Sequence, residues 1–426
     1  LQLPPFIFYN VAAMSTETVR DPKQYPVLRN LQYSPIKQGE DSFIVLWDPT
    51  GLSQEKLVLP LNYFFIIQHF DGRHSLTDIL SLYLKRFGEF LLPDKIERLV
   101  NELDEKLFLE GARTEAALAR AMDAYRQAPC RKPTFAGRGY EAEGIKLRRQ
   151  VEGFFSSQEG PGFEPSVHAG KPIKGLVTPA YDLKQAGPVY AWAYKELREA
   201  VQPDLYVIMG TASAGPVRPF TATDKDFETP LGLVRTDQPI MARLRDRLPD
   251  SFHEDLCHQA ESSIEFQLPF LQEVVGREKA FTIVPILCSF SAIEMADHAL
   301  KQGVRAFLDG LREILREDGR PYCVIAAGEL AHLGLRYGDK EPPTDFSFHR
   351  SMQRDLEMLK FVEELKADEF ADFLLKEEDR RRITGFAPIY SLLRLIQAEK
   401  GEVLRYDRGI TDQFNSTVTY VSMAFF

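Results

Sequence analysis

The sequence predicts an α/β protein, a central sheet flanked by helices, preceded by a small α+β domain. Three observations carry this reading. Beyond about residue 134, apolar runs of strand length alternate with amphipathic helical stretches, the pattern of strands and crossover helices that share one sheet. Before residue 111, strand-like runs are followed by helical stripes separated by turn residues. At 426 residues and 44% hydrophobic content, the chain is also long enough for two or three domains that each bury a core.

Taken in order, Leu1–Tyr9 is apolar but has no Lys or Arg before it, so it fails as a secretory signal. The first methionine is Met14, and residues 1–13 read as an upstream extension or a trimmed terminus with no structural role. Residues 1–25 as a whole are an extension ahead of the first domain. That domain, 26–111, begins with a strand at Phe43–Trp47 that stops at the turn Asp48-Pro49-Thr50-Gly51, and Leu57–Pro60 follows. Asn62–Phe70 reads as a compact apolar helix. Ser75, with Asp78 three residues on, caps a second helix that carries Leu76, Ile79, Leu80, Tyr83, Leu84 and Phe87 on one face and ends at Gly88. Pro93 opens a third, with Ile96, Leu99, Val100, Leu103 and Leu107 on one stripe. With the closing run Leu107–Gly111, these elements make a winged-helix pattern.

Residues 112–133 form a helical linker, a helix over Glu115–Gln127 followed by Pro129 and Pro133. The second domain, 134–426, has strand runs at Lys174–Val177, Leu205–Met209, Phe281–Leu287, Tyr322–Ala327 and Thr417–Phe425. Its helices include Gly187–Val201, Glu261–Val275 and Ala292–Arg316.

Composition narrows function. With 62 Asp and Glu against 52 Lys and Arg, the chain has a formal charge of −10 and lacks the basic footprint of a nucleic-acid binder. Its apolar stretches all fall short of a membrane span. Four cysteines (Cys130, Cys257, Cys288 and Cys323), none in a Cys-x-x-Cys pair, suit a reducing, cytoplasmic location.

In an α/β domain the chemistry sits beyond the C-terminal strand ends. After Met209 the run Gly210-Thr211-Ala212-Ser213-Ala214-Gly215-Pro216 lacks the Lys-Ser/Thr of a phosphate loop and reads as a turn at a pocket edge. After Ala327, Glu329 and His332 stand three apart. They suit acid and base, two metal ligands, or a structural hydrogen-bonded pair. His253, Cys257 and His258 offer a second candidate, since positions four apart share a helix face. His69, His74, His168, His298 and His349 read as isolated surface or helix-face residues.

The first domain resembles the PqqD-like domains, peptide-recognition modules that accompany radical-SAM enzymes. The resemblance rests on Phe70-Asp71-Gly72-Arg73-His74-Ser75-Leu76-Thr77-Asp78-Ile79 and on the closing helix that runs into Leu107–Gly111. It implies a peptide or protein partner; a winged helix used only for dimerisation or packing fits the same elements. DNA reading is disfavoured, because Ser75–Phe87 carries only Lys85 and Arg86.

Residues 134–426 resemble the Memo family, which includes the B protein of the AmmeMemoRadiSam system and shares the fold of the LigB-type extradiol dioxygenases. The matching motifs are Phe135-Ala136-Gly137-Arg138-Gly139-Tyr140, Phe227-Glu228-Thr229-Pro230-Leu231-Gly232 and Glu261-Ser262-Ser263-Ile264-Glu265-Phe266-Gln267-Leu268-Pro269-Phe270. Val284–Leu287, Pro388-Ile389 and Tyr420–Phe425 follow in order. The departures fall on the family's metal-ligand positions. Ala180 stands for the histidine of Pro-His-Ala-Gly, Ser213 for that of Gly-Pro-Asn/Ser-His, Ser262 for that of Glu-His-Ser, and Thr384 for the late cysteine. The Asp-x-x-His pair survives as Glu329 and His332.

Alanine offers no lone pair, and Ser and Thr are poor neutral ligands. The resemblance with these departures implies a non-catalytic binding or scaffold protein without a cofactor. Its pocket is lined by Ala180, Ser213, Ser262, Glu329, His332 and Thr384. A peptide or protein partner would sit on the first domain, a radical-SAM protein being the candidate, with neither nucleic acid nor membrane involved. The competing expectation is a non-haem iron or copper redox enzyme whose ligand set has moved, with Cys257 or His258 reaching across. A self-assembling structural protein is a third.

Overall fold

The computed structural model describes residues 21–39, 41–212 and 218–426, so the readings of residues 1–13 and of Ser213 lie outside it. The chain divides into two compact units. One holds residues up to Ala128 with 335–340 and 412–414; the other holds Pro129–Gly334, Glu341–Thr411 and Asn415–Phe426.

The first unit opens with an antiparallel sheet of β1 (Gln32–Gln38), β2 (Asp41–Trp47) and β3 (Lys56–Pro60), in that order. Helices α1 (Leu61–Ile67), α2 (Leu76–Phe87), α3 (Pro93–Glu105) and α4 (Ala112–Gln127) follow. Alternation places Ile44, Leu46, Leu57 and Leu59 on the buried sheet face, where they join Ile66, Phe70, Ile79, Leu99 and Leu103 in one core. The cap of α2 is reciprocal. The Ser75 hydroxyl accepts from the Asp78 N–H at 3.1 Å, and the Asp78 carboxylate accepts from the Ser75 N–H at 2.9 Å. Helix α3 ends before Leu107, which the stripe had included. Leu107 is left-handed (φ 60°) and the Phe108 N–H closes back on the Leu103 carbonyl at 2.8 Å, so Phe108 and Leu109 enter the core in its place.

The second unit is built on eleven strands among the described residues. They are β4 (Cys130–Arg131), β5 (Gly175–Thr178), β6 (Leu205–Thr211), β7 (Phe220–Ala222), β8 (Asp226–Thr229), β9 (Gly232–Thr236), β10 (Thr282–Cys288), β11 (Tyr322–Ala327), β12 (His332–Leu333), β13 (Gly401–Ile410) and β14 (Thr417–Phe425). The sheet order is β12-β14-β5-β11-β6-β10-β9-β8-β4, with β13 on β14 and β7 on β10. The central strands β5, β11, β6 and β10 are mutually parallel, whereas β14 runs antiparallel to β5. The sheet is therefore mixed, with buried parallel strands at its centre.

Helices cover both faces. They are α5 (Gly144–Ser156), α6 (Leu183–Glu199), α7 (Gln238–Arg247), α8 (Cys257–Ala260), α9 (Leu268–Val274), α10 (His298–Asp318), α11 (Asp345–Glu363), α12 (Ala367–Lys376) and α13 (Phe386–Leu395). Leu205, Val207 and Met209 of β6 share a core with Leu308 and Leu311 of α10 and Ile389 and Leu392 of α13. On the other face, Tyr190 and Tyr194 of α6 stack on Phe270 of α9 with ring centres 5.3 and 5.0 Å apart. No helix of the described residues is long and apolar enough to cross a membrane.

Three expectations are corrected. The helix expected over Glu261–Val275 is confined to a 3-10 turn at Glu265–Gln267 and α9, because Glu261 uses its carboxylate on the Ser262 and Ser263 N–H groups instead of entering a helix. The helix placed at Gly187–Val201 begins earlier, at Leu183 behind the Asp182 cap, and the one placed at Ala292–Arg316 begins at His298 behind Asp297. Strand β13 carries Glu402, Arg405, Asp407 and Arg408, a charge density that hid it; its pairing with β14 makes it a strand.

A fully buried ion pair ties the start of this unit to the motif segment. The Arg131 guanidinium meets the Glu265 carboxylate and also donates to the carbonyls of His258 (3.0 Å) and Glu261 (2.8 Å). Glu265 accepts further from the backbone N–H groups of Thr134 (3.1 Å) and Phe135 (2.9 Å) and from the Tyr140 hydroxyl. A carboxylate so enclosed is stable only while every partner stays in place. Glu265→Ala, which strands the Arg131 charge, should cost about 3–5 kcal/mol in urea denaturation; a loss within experimental error would contradict this.

Candidate functional site

Because β5, β11, β6 and β10 are parallel, their C-terminal ends emerge at one edge of the sheet. Short polar contacts lock these ends. The Thr211 hydroxyl donates to the Ala327 carbonyl (2.9 Å), the Gly328 N–H to the Thr178 carbonyl (3.0 Å) and the Ser263 hydroxyl to the Thr211 carbonyl (3.0 Å). Gln267, fully buried, is the hub. Its Oε1 accepts from the Thr178 and Tyr194 hydroxyls at 2.9 and 3.0 Å, and its Nε2 donates to the carbonyls of Pro179 and Ser263 at 3.0 Å each. Every hydrogen-bonding position of this amide is thereby used. Its sequence signal is its place in the motif Glu261–Phe270, a polar residue between Phe266 and Leu268.

The predicted site residues are placed as follows. Ala180 is buried and directly follows Pro179 at the end of β5, and Ser262 directly precedes Ser263, so Gln267 couples the two segments. Glu329 and His332 come together, with Oε2 3.2 Å from Nε2. Thr384 joins them by the contact of its hydroxyl with the Glu329 carbonyl at 3.5 Å. Backbone shapes this corner. The Gly385 N–H donates to the Glu329 carbonyl at 2.6 Å, and a Cβ on Gly328 would lie 2.4 Å from the Gly385 Cα.

His332 is buried and fixed on all sides. Its N–H bonds to the Arg381 carbonyl (2.8 Å) and its own carbonyl accepts from the Arg382 guanidinium (2.9 Å). Its Nδ1 lies 3.0 and 2.9 Å from the carbonyl oxygens of Leu330 and Arg382. Carbonyls only accept, so Nδ1 carries hydrogen. Nε2 faces the Glu329 carboxyl, and that contact is a hydrogen bond only if one of the two groups supplies a proton. Behind this, the buried Asp355 accepts from the Thr419 hydroxyl (2.8 Å) and the Tyr406 hydroxyl (2.7 Å) and pairs with Arg381, while the Ala331 N–H bonds to the Thr419 hydroxyl (2.8 Å).

The second candidate set is not assembled. His258 is turned into the core, where Nε2 donates to the Thr221 carbonyl at 2.9 Å, and burial pushes its pKa down to about 3. Burial, with Glu254, Glu261 and Asp255 nearby, pushes the Cys257 thiol up to about 12, so it stays a thiol at neutral pH. His253 lies outside the short helix α8. Among the described residues, no three His, Cys, Asp or Glu side chains converge so as to hold a metal ion. Of the residues placed at this strand edge, Ala180, Ser262 and Thr384 supply no strong donor for a transition metal, which leaves Glu329 and His332, fewer ligands than such a centre needs.

The family model for Memo-like proteins matches residues 131–424. The chain belongs to the Memo-like family. Its relatives include a MEMO1 family protein of Aquifex aeolicus, 25% identical over 400 residues that span 93% of this chain and 99% of that one. A MEMO1 family protein of Methanopyrus kandleri is 28% identical over 69% of this chain and 98% of its own. One of Sulfolobus acidocaldarius is 29% identical over 69% and 99%. The Aquifex match extends beyond the family-model region, so the Memo-like chain shares sequence with that relative in its first unit as well.

The neutral, buried His258 predicts a pH dependence. Folded, it resists protonation down to about 3; unfolded, it takes a proton below its ordinary 6.5. Its contribution is complete above pH 6.5 and declines as pH falls towards 3, with a slope of up to about 1.4 kcal/mol per pH unit. His258→Gln should flatten the stability profile between pH 6.5 and 4.5 by about one proton's worth. An unchanged slope in urea titrations at several pH values would refute it.

Proposed function

We propose that this Memo-like protein is a non-catalytic binding or scaffold protein, cytoplasmic, that works with a radical-SAM system in the manner of the AmmeMemoRadiSam B proteins. The observation that carries the reading is the state of the strand-end corner. Its one imidazole has Nδ1 against two backbone carbonyls and Nε2 against the Glu329 carboxyl, and the neighbouring positions are Ala180, Ser262 and Thr384. This corner keeps the braces of an active site and offers a small polar surface in place of ligands. It suits a neutral or cationic small molecule, or a peptide end, held by Glu329.

The first unit would supply the partner contact as a PqqD-like winged helix. Among the described residues β3 pairs only with β2, so one edge of this sheet is open, and Val58 on it is 51% exposed. Leu84, Phe87, Phe90 and Leu92 form an exposed apolar stretch at the end of α2, with Phe90 73% exposed. An open strand edge suits an extended peptide added as a further strand, and the exposed apolar stretch offers a second surface for a partner.

Protein purified without chelators should contain no iron, copper or zinc whose amount, by elemental analysis, depends on His332. A stoichiometric metal that His332→Ala removes would overturn the proposal in favour of a metal-dependent redox enzyme. For the partner, Phe87→Glu with Phe90→Glu in the full chain should abolish co-purification with a co-expressed radical-SAM enzyme; unchanged recovery would count against peptide recognition by this unit.

A further inference from the structure

His69 and His74, read from the sequence as isolated, flank the turn between α1 and α2, and the structure brings their rings to 5.6 Å, centre to centre and perpendicular. Their contacts settle which nitrogens are occupied. Nδ1 of His69 lies 2.8 Å from the Phe65 carbonyl oxygen, which can only accept, so this nitrogen carries hydrogen. Nδ1 of His74 lies 3.0 Å from Oδ2 of Asp71. The other oxygen of Asp71 accepts the N–H groups of Arg73 and His74 at 2.8 and 3.0 Å. Asp71 thus serves as an acceptor, with His74 Nδ1 as the donor facing it. In the neutral form of each ring the lone pair is on Nε2, where no hydrogen-bond partner is placed among the described residues.

A carbonyl behind one imidazole and a carboxylate behind the other is how metal-binding histidines are held. The spacing agrees. With metal–nitrogen distances of about 2.0–2.1 Å and each nitrogen about 1.1 Å from its ring centre, two imidazoles on one tetrahedral ion have centres about 5 Å apart. The turn is also pre-formed. Phe70 is buried in the core, the Leu28 N–H bonds to the Phe70 carbonyl (2.8 Å), and the Gly72 N–H bonds to the Pro26 carbonyl (3.0 Å). Gly72 has φ +74° and lies so close to Val27 that a Cβ would be 2.8 Å from Cγ2.

We propose that His69 and His74 form a two-imidazole site for a divalent transition ion of the copper and zinc class, with water completing the coordination and Asp71 orienting His74. The site is separate from the strand-end corner and independent of its reading.

Cu2+ titration of the full chain, followed by electron paramagnetic resonance, tests it. One Cu2+ per chain should bind saturably with hyperfine coupling to two imidazole nitrogens. His69→Ala and His74→Ala should each remove one coupling and weaken binding at least about tenfold, and Asp71→Asn should weaken it about tenfold. His349→Ala, on an exposed helix face, should change neither. A measurement without variants guards against misfolding: substoichiometric Cu2+ should broaden the His69 and His74 ring signals in nuclear magnetic resonance before those of the other histidines. The same affinity and two-nitrogen pattern in the His69→Ala/His74→Ala double variant, or broadening that starts at other histidines, would overturn the proposal.

Discussion

The enclosure of Glu265 is the constraint from which the second unit follows. A carboxylate with no access to water has to be met by donors from several chain segments at once, and here they come from Arg131, Thr134, Phe135 and Tyr140. Satisfying it fastens the entry segment to the run that holds Ser262, Ser263 and Gln267. Gln267 then reaches the ends of two other elements through Thr178 and Tyr194. The strand edge is shaped by a chain of obligatory polar contacts that starts far from it in sequence. Apolar packing on both faces of the sheet supplies the stability; these contacts supply the register between segments.

Much of this architecture was legible in the sequence. The buried strands announced themselves as apolar runs because strands covered on both faces need apolar side chains in every position. The cap at Ser75 was legible because it is encoded within four residues. The rest depends on contacts that composition and spacing do not encode. Strand β13 carries charges that only its pairing with β14 explains, and the segment Glu261–Ile264 looks helical until its acid is seen bonding the following amides.

At the site, the pairing of Glu329 with His332 could be anticipated from their spacing. That Nδ1 is fixed by main-chain carbonyls could not, since one of them belongs to Arg382. Arg382, together with Glu378 and Asp379, is a non-glycine residue in the left-handed region, a conformation no sequence pattern announces. The closeness of His69 and His74 was likewise hidden, because the turn between them is folded back by residues 26–28. In each case the missing information was a main-chain contact.

The touching backbones of Gly328 and Gly385 have a consequence for descent within the family. Where two main chains meet with no room for a side chain, the outline of the corner is set by peptide groups, and side chains contribute only what projects into it. Chemistry and shape are then inherited separately. Mutation can replace a donor by alanine, serine or threonine at little cost in folding, whereas either glycine is held by sterics alone. A lineage built this way can change its side-chain chemistry while the outline of the corner persists.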